Sequence, residues 1–507
     1  MTDYLLPNGM TAAAARRALA ERLPIRDGTT RVRARAYYDT FDGLLHAAGM
    51  TAVWEDGQLE LVEAGSGWTR ARAAVVKPTK PLFAADLEPG SVGDALKTLI
   101  DVRALLPLVE IHGRERALDV LDDEHKTVVR LRVQEPVLGR RRLPPRVQVS
   151  AVRGYDKALA RVSRVLGGEL GLEVAVRPLI DDAVAASGAA PGGSPAKTHV
   201  PLLPAERADR AATDVLRALL GVIEDNLEGA IADLDTEFLH DLRVSVRRSR
   251  TVQRELKGAF PPVELERFRW EFRRLQQATG EVRDLDVYIL EFDAMRALVP
   301  AHIRPDLDPL LSVLRERRKA ARRRMVRALR SERTAKVLTG WAELLDALEG
   351  LPLDGRPDAT TPIAALSGAR IAKVYRRMVR MGEALQPLSP STDYHELRKQ
   401  GKELRYLLEL FGAPLYPDDV VRPMVRTLKA LQDVLGRHQD REVQVVMLRS
   451  LGPELSAATD GPAALMAMGM MVERLEADQQ AARDAFAPRF ADFASRPQRK
   501  LVKDTFA

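Results

Sequence analysis

The chain has 507 residues, of which 46% are apolar and 29% charged, a composition typical of a soluble globular protein with roughly two to four domains. Cysteine is absent, which excludes disulfides, thiolate zinc sites and cysteine nucleophiles, and aromatic residues make up only 5%, which disfavours stacking of single-stranded nucleic acid. The net charge is only +7, so its local distribution matters more than its sum. We find neither a secretion signal nor an apolar run of about 18 residues, and therefore expect a cytoplasmic protein with no membrane span.

The first part of the chain, residues 1–182, mixes short β-like runs with helical segments. Strands are predicted over 31–38, 51–62, 68–76, 127–133 and 146–152, and helices over 12–22, 91–105 and 156–166. The last two strands alternate apolar and polar residues and are separated as in a hairpin. This pattern predicts an antiparallel α+β domain.

Residues 183–203 are mostly small residues, glycine and proline, which is typical of a flexible interdomain linker. From residue 204 to about 495 the β signal disappears, and glycine or proline separates many of the apolar periodic segments. We predict helices over 205–233, 237–257, 263–279, 285–298, 308–329, 334–348, 362–386, 394–410, 421–435 and 462–485.

One of these segments, residues 240–257, carries a basic stripe. On a helix, His240, Arg243, Arg247, Arg250 and Arg254 share one face because they are spaced by three and four residues. Aligned arginines repel one another, and an anion along the helix would relieve the repulsion. A solvated charged face explains a single stripe of this kind equally well.

A second copy of the pattern favours a binding site. HDLRVSVRRSR, from His240, matches HELRKQGKELR, from His395, about 155 residues later, so that His395, Arg398, Lys402 and Arg405 repeat the stripe. LQQATGEVRDLDV likewise matches LQDVLGRHQDREV. Gly280 and Gly436 are predicted to end helices, and Asp284 and Asp440 either cap the following helices or orient arginines. The helical part is therefore predicted to be a tandem duplication of a four-helix unit, over about 204–350 and 360–495.

Other helices carry shorter basic stripes. If the two repeats pack face to face, these stripes would converge with the first two on one cationic groove. The additional candidate residues are Arg269, Arg273, Arg318, Arg322, Arg370, Lys373, Arg377, Arg380, Arg422, Arg426 and Lys429.

The duplicated pattern H-x-x-R-x-x-x-R/K-x-x-R, with G-x-x-x-D after each copy, resembles the CHAD domain over about 280 residues. The resemblance implies two four-helix bundles with a basic central surface that binds long-chain inorganic polyphosphate. It also implies association with polyphosphate granules. CHAD domains often follow a CYTH domain, so this resemblance bears on the first part of the chain as well.

The segment YYDTFDGLLHAAGM, from Tyr37, resembles the Y-Y-D-T motif of CYTH domains, which form an antiparallel triphosphate tunnel. DYLLP, from Asp3, VEIHGRERALDVLD, from Val109, and KTVVRLRVQEP, from Lys126, resemble other strands of that family. The resemblance covers about 1–182. The whole chain is therefore predicted to be a multidomain α+β protein. An antiparallel β-barrel or tunnel-like domain would precede an all-α domain of duplicated four-helix bundles.

The first domain departs from active CYTH enzymes where they hold metal. The E-x-E-x-K opening is replaced by MTDYLLP, Trp54 and Glu55 stand in a strand that usually supplies arginine, and a late E-x-E strand has Gln148 and Ser150. Hard divalent cations need clustered oxygen ligands. We therefore expect no catalytic residues, no metal site and no cofactor. Five arginines lie either inside the tunnel or on its outer faces: Arg31, Arg33, Arg35, Arg130 and Arg132.

Three functions remain open from the sequence. The first is non-catalytic binding of inorganic polyphosphate, with localisation at polyphosphate granules. The second is a metal-dependent inorganic triphosphatase of the CYTH type. The third is nucleic-acid binding by the helical domain, which the scarcity of aromatic residues disfavours.

Overall fold

The computed structural model describes residues 1–194 and 200–506. The chain divides into two compact units, Met1–Ala196 and Lys197–Ala507. Part of the predicted linker, residues 195–199, lies outside the described residues. No helix in the described ranges is long and apolar enough to cross a membrane.

The first unit is an antiparallel sheet flanked by helices, as predicted. Its strands are β1 (Thr2–Leu5), β2 (Ile25–Asp39), β3 (Met50–Glu55), β4 (Gln58–Glu63), β5 (Thr69–Ala74), β6 (Leu106–Leu121), β7 (Thr127–Leu138), β8 (Arg141–Arg142), β9 (Arg146–Ala151) and β10 (Glu173–Val174). Its helices are α1 (Ala12–Ala20), α2 (Leu44–Ala47), α3 (Ser91–Ile100), α4 (Asp156–Arg164) and α5 (Leu179–Ala186).

The strand order is β10-β1-β9-β7-β6-β2-β3-β4-β5, with β8 paired to β7. The sheet does not close into a barrel over the described strands, and β10 and β5 are its edges. The predicted pairing of β7 with β9 is confirmed, with Leu131 opposite Val149.

Several boundaries in this unit differ from the prediction, and two of the differences have a clear structural cause. The single strand predicted over 51–62 is a hairpin of β3 and β4, because Asp56 and Gly57 adopt positive φ, the geometry of a tight two-residue turn. The predicted linker begins too early. Ala183 and Val184 belong to α5 and are buried against Tyr37 and Ile111.

The second unit is helical throughout its described residues. It contains α6 (Ala208–Ala232), α7 (Thr236–Glu255), α8 (Pro262–Ala278), α9 (Gly280–Leu290), α10 (Phe292–Arg296), α11 (Asp308–Leu329), α12 (Glu332–Ala347), α13 (Ile363–Ala384), α14 (Ser391–Leu407), α15 (Ala413–Leu415), α16 (Asp418–Ser450), α17 (Gly452–Ser456), α18 (Gly461–Asp484), α19 (Phe486–Phe493) and α20 (Arg496–Phe506). The last two helices follow the final predicted one.

The duplication is visible in the helix boundaries. Helices α13 and α14 begin about 155 residues after α6 and α7, and α16 and α18 stand at the positions of α8 and α11. The prediction that Gly436 ends a helix is wrong, because α16 runs through it without interruption for 33 residues. Gly280 begins α9 directly after α8, so it does not cap the earlier helix either.

Close packing of α6 against α7 sets the position of the basic stripe. Asp235 caps α7 by accepting hydrogen bonds from the amides of Glu237 and Phe238. A side chain at Gly229 would lie 2.1 Å from the Phe238 ring, so only glycine allows this approach. The face of α7 that carries Leu242 and Val246 is thereby buried, and the arginine face is turned away from α6.

A buried ion pair fixes the start of α6. Arg356 and Asp209 are both fully buried and lie 2.7 Å apart, and Arg356 also donates to the carbonyl of Ala259. The pair joins α6 to the segment that connects the two repeats.

We predict that Asp209→Ala destabilises the helical unit by about 3–5 kcal/mol, because it leaves the Arg356 guanidinium buried without a counter-ion. The measurement is urea unfolding followed by circular dichroism at 222 nm. The exposed Asp214→Ala is the matched control and should change the midpoint little. Equal effects of the two substitutions would contradict the stabilising role of the Arg356–Asp209 ion pair.

Candidate functional site

Two arginines of α7 are held by neutral partners at the end of α8. Arg243 is only 9% exposed and donates to the Gln276 carbonyl and the Thr279 hydroxyl, both at 2.8 Å. Arg250 donates to the Gln276 side-chain oxygen at 3.0 Å. These contacts fix the two guanidinium groups without cancelling their charge.

Two arginines and one lysine form no ion pair with any residue that the structure describes: Arg247, Arg273 and Lys402. The buried Nε of Arg247 also lacks a hydrogen-bond partner, whereas Arg273 is exposed. The carboxylates of Asp284 and Asp440 act on Arg247 and Lys402 only at longer range. Removing a cation from water without an ion-pair partner is unfavourable, so an anion beside Arg247 and Lys402 would be stabilising.

Helix α14 brings the second stripe to the same place. Burial, followed by the positive charges of Arg398 and Arg247, lowers the pKa of Lys402 to about 7. Burial and Arg247 likewise lower the pKa of Arg243 to about 10. Since Lys402 belongs to one repeat and Arg243 and Arg247 to the other, cations of the two stripes lie within electrostatic range of one another.

A third contribution comes from α8. Burial, followed by the charges of Arg273, Arg254 and Arg269, lowers the pKa of Arg250. These electrostatic interactions link a set of basic side chains that we call the cationic cluster: Arg243, Arg247, Arg250, Arg254, Arg269, Arg273, Arg398 and Lys402.

Reciprocal ion pairs join α7 to the second repeat. Arg248 contacts Glu409 at 2.6 Å, and Arg254 contacts Glu403 at 2.7 Å. Glu403 stands at the repeat position of Arg248, and Glu409 at the repeat position of Arg254. Such an exchange, in which each position contacts the equivalent of the other, is the pattern of a two-fold interface.

The predicted glycines and aspartates lie beside arginines that stand at the same position in the two repeats, Arg243 and Arg398. A Cβ at Gly280 would lie 3.6 Å from Arg243, and one at Gly436 would lie 3.8 Å from Arg398. Asp440 pairs with Arg398 at 2.9 Å from within α16, so it orients an arginine and does not cap a helix. Asp284 lies inside α9 and is near enough to Arg243 to interact electrostatically.

The histidines begin the two stripes. His395 Nδ1 lies 2.6 Å from the side-chain oxygen of Gln439, so its ring is oriented by a neutral amide. His240 lies with Glu237 and Asp241, whose ligand atoms are within 4.8 Å of one another. Arg283 is already 3.2 Å from Glu237, and we assign no metal to this group. Binding by either histidine stays a prediction.

Several predicted cations have carboxylate partners outside the cluster. Arg318 and Arg322 both pair with Asp233. The remaining candidates are distributed over α13, α14 and α16. Three of them have carboxylate partners: Arg370 pairs with Asp358, Arg405 with Glu409 and Arg422 with Asp418. Arg377 contacts Gln400, and four are exposed: Lys373, Arg380, Arg426 and Lys429.

The sequence analysis missed Glu255, Glu403 and Glu409, the acids that hold the cluster together. Opposite charges at equivalent repeat positions, Arg248 with Glu403 and Arg254 with Glu409, were the available signal.

The first unit contains a cavity of about 940 Å³, and three of its five predicted arginines line it. Arg33 and Arg35 contact Glu55 at 2.6 and 3.0 Å, and Glu115 accepts from Arg35 at 3.1 Å. Arg132 also lines the cavity, whereas Arg31 and Arg130 are exposed. The cavity arginines are therefore largely neutralised by carboxylates of the same unit.

The comparisons with known proteins concern the helical unit. The CHAD domain model matches residues 214–449. The CHAD domain from the plant Ricinus communis is 24% identical, with a TM-score of 0.47 over 58% of this chain and 97% of that one. PptA from Streptomyces chartreusis is 19% identical, with a TM-score of 0.44 over 56% of this chain and 99% of that one.

A search of curated proteins found no match. The family model covers the segment that contains α7, α14 and the whole cationic cluster. Residues 214–449 of this chain therefore form a CHAD domain.

Proposed function

We propose that the helical unit binds inorganic polyphosphate at the cationic cluster. The observation that carries the proposal is that Lys402 of one repeat lies within electrostatic range of Arg243 and Arg247 of the other, and that Arg247 and Lys402 form no ion pair among the described residues. The CHAD assignment supports the same ligand class, because the family resemblance implies polyphosphate binding.

The chemistry of the cluster suits a regular polyanion. Neighbouring cations on α7 are one helical turn apart, about 5–6 Å. Arginine donates bidentate hydrogen bonds to phosphate oxygens, and lysine supplies a compact charge. Arg243 and Arg250 are already oriented by Gln276, so their positions require little reorganisation on binding.

The regular spacing of the cations also determines which anions the cluster selects. A ligand held by rows of cations is recognised by its charge density and length, whereas base identity is read by contacts to base edges. We propose that the protein associates with polyphosphate granules through this surface. Nucleic acid is the competing ligand, and duplex DNA should displace polyphosphate only weakly at equal phosphate concentration.

We predict that the triple variant Arg247→Glu/Arg250→Glu/Arg273→Glu binds long-chain polyphosphate at least about tenfold more weakly than the wild type at low salt. The slope of log affinity against log salt should decrease in magnitude by roughly two to three, because three phosphate contacts are lost. Fluorescence anisotropy of end-labelled polyphosphate across a salt series measures both quantities.

The matched control reverses the same number of charges elsewhere. Arg323 and Arg327 are exposed on α11, Arg330 is exposed directly after it, and none of the three forms an ion pair within the described part of the chain. Their reversal to Glu should leave affinity within about threefold of the wild type. Equal losses in the two variants would show that net charge, and not the cluster, determines binding.

We further propose that the first unit does not hydrolyse triphosphate. Within its described residues, no three carboxylate or histidine side chains bring ligand atoms together for a cation. The cavity carboxylates Glu55 and Glu115 are engaged by Arg33 and Arg35. Hard divalent metals need oxygen ligands that are free to coordinate them.

We expect the full chain to release no phosphate from tripolyphosphate with Mg²⁺ or Mn²⁺ above an EDTA-treated sample. A malachite green assay of free phosphate measures this. Release that EDTA abolishes and that the Glu55→Gln variant lacks would contradict the proposal and support the triphosphatase function.

A further inference from the structure

Two carboxyl groups from different repeats share one arginine beside the cluster. Arg254 lies 2.7 Å from Glu403 and 3.1 Å from Glu255. Glu403 is only 4% exposed, and its second oxygen is buried without a hydrogen-bond partner. Two carboxylates that contact the same guanidinium repel each other when both are ionised, and the repulsion is stronger where one of them is buried.

The pair therefore favours the binding of one proton. Burial, followed by the interaction with Glu255, raises the pKa of Glu403, while the pKa of Glu255 is lowered. The charged groups that face the pair are Arg254 on α7 and Arg370 on α13. The pair keeps its proton well above the usual range of a glutamate, and on losing it would hold Arg254 more tightly.

The adjacent residue, Lys402, is the one amine in a cluster of guanidinium groups. Arg243 and Arg247 face it from α7, Arg398 from its own helix and Asp440 from α16. Arginine stays protonated at any physiological pH, whereas an amine surrounded by like charges gives up its proton easily. The charge of the cluster therefore depends on pH through Lys402.

We infer that Lys402 and the Glu255–Glu403 pair couple anion binding at the cationic cluster to proton uptake. The inference rests on the proposed function, since it concerns the regulation of the same site. Protonation of Lys402 and protonation of the Glu255–Glu403 pair have the same effect on binding. Protonation gives Lys402 its charge and removes one negative charge from the pair, and each change favours a polyanion.

The direction of the pH dependence follows from these two changes of charge. A bound polyanion stabilises the protonated lysine and raises its pKa above the value of about 7 in the free protein. Affinity is therefore full below pH 7 and falls as pH rises through 7 towards the pKa in the complex. The Glu255–Glu403 pair adds to the fall when it loses its proton.

The test is calorimetry of the full chain with long-chain polyphosphate at constant ionic strength from pH 6 to pH 9. We expect affinity to fall at least about tenfold over this range. At pH 7.5, titrations in buffers of different ionisation enthalpy should show net proton uptake on binding. Long chains are used because titration of the ligand is then confined to its two ends.

Three variants identify the groups. Lys402→Arg should bind at pH 9 more tightly than the wild type and take up fewer protons, since its charge is permanent. Glu403→Gln, a neutral isostere, should also weaken the pH dependence. Lys399→Arg on the same helix, where Lys399 is exposed and paired with Glu396, is the matched control and should behave as the wild type.

The outcomes separate the two proposals. No binding at pH 6 and low salt would overturn the proposed function and this inference with it. Binding that is independent of pH, with no proton uptake, would overturn the inference alone. A pH dependence that Lys399→Arg alters as much as Lys402→Arg would also overturn it. Thermal unfolding of each variant confirms that the proteins compared are folded.

Discussion

Two reciprocal ion pairs hold the basic stripes of the repeats against each other. Glu409, which contacts Arg248, stands at the repeat position of Arg254. An unchanged second repeat would therefore have an arginine opposite Arg248. The carboxylates of Glu403 and Glu409 replace that repulsion with attraction at both ends of the contact. Charge reversal at these two positions therefore allows a duplicated basic helix to pack against its own copy.

The same ion pairs decide which cations remain available. Arg254 shares its charge with two carboxylates, whereas Arg247 and Lys402 form no ion pair among the described residues. The acids thus stabilise the frame of the site and leave its centre positively charged. The proposed affinity for a polyanion and the stability of the repeat contact therefore depend on the same acids.

Helical spacing explains what the sequence could predict. The basic stripe and the matching starts of the repeated helices follow from a 3.6-residue period. Spacing gives the face on which a cation lies but not the acid opposite it, so Arg318 was a binding candidate although it pairs with Asp233. Gly436 was read as a helix end because glycine disfavours helices, whereas tertiary packing keeps α16 continuous there. The turn at Asp56 and Gly57 was readable from sequence and was overlooked.

Arginine alone does not make a phosphate site, and the two units show why. In the first unit, Arg33 and Arg35 are engaged by Glu55 and Glu115, so an incoming triphosphate would have to displace carboxylates that are already well placed. In the helical unit, Arg243 is held by a carbonyl and a hydroxyl, which orient it without neutralising it. Neutral hydrogen-bond acceptors position a guanidinium and leave its charge for a ligand. This difference in partners, more than the number of arginines, is the reason that we propose anion binding for the helical unit and not for the first.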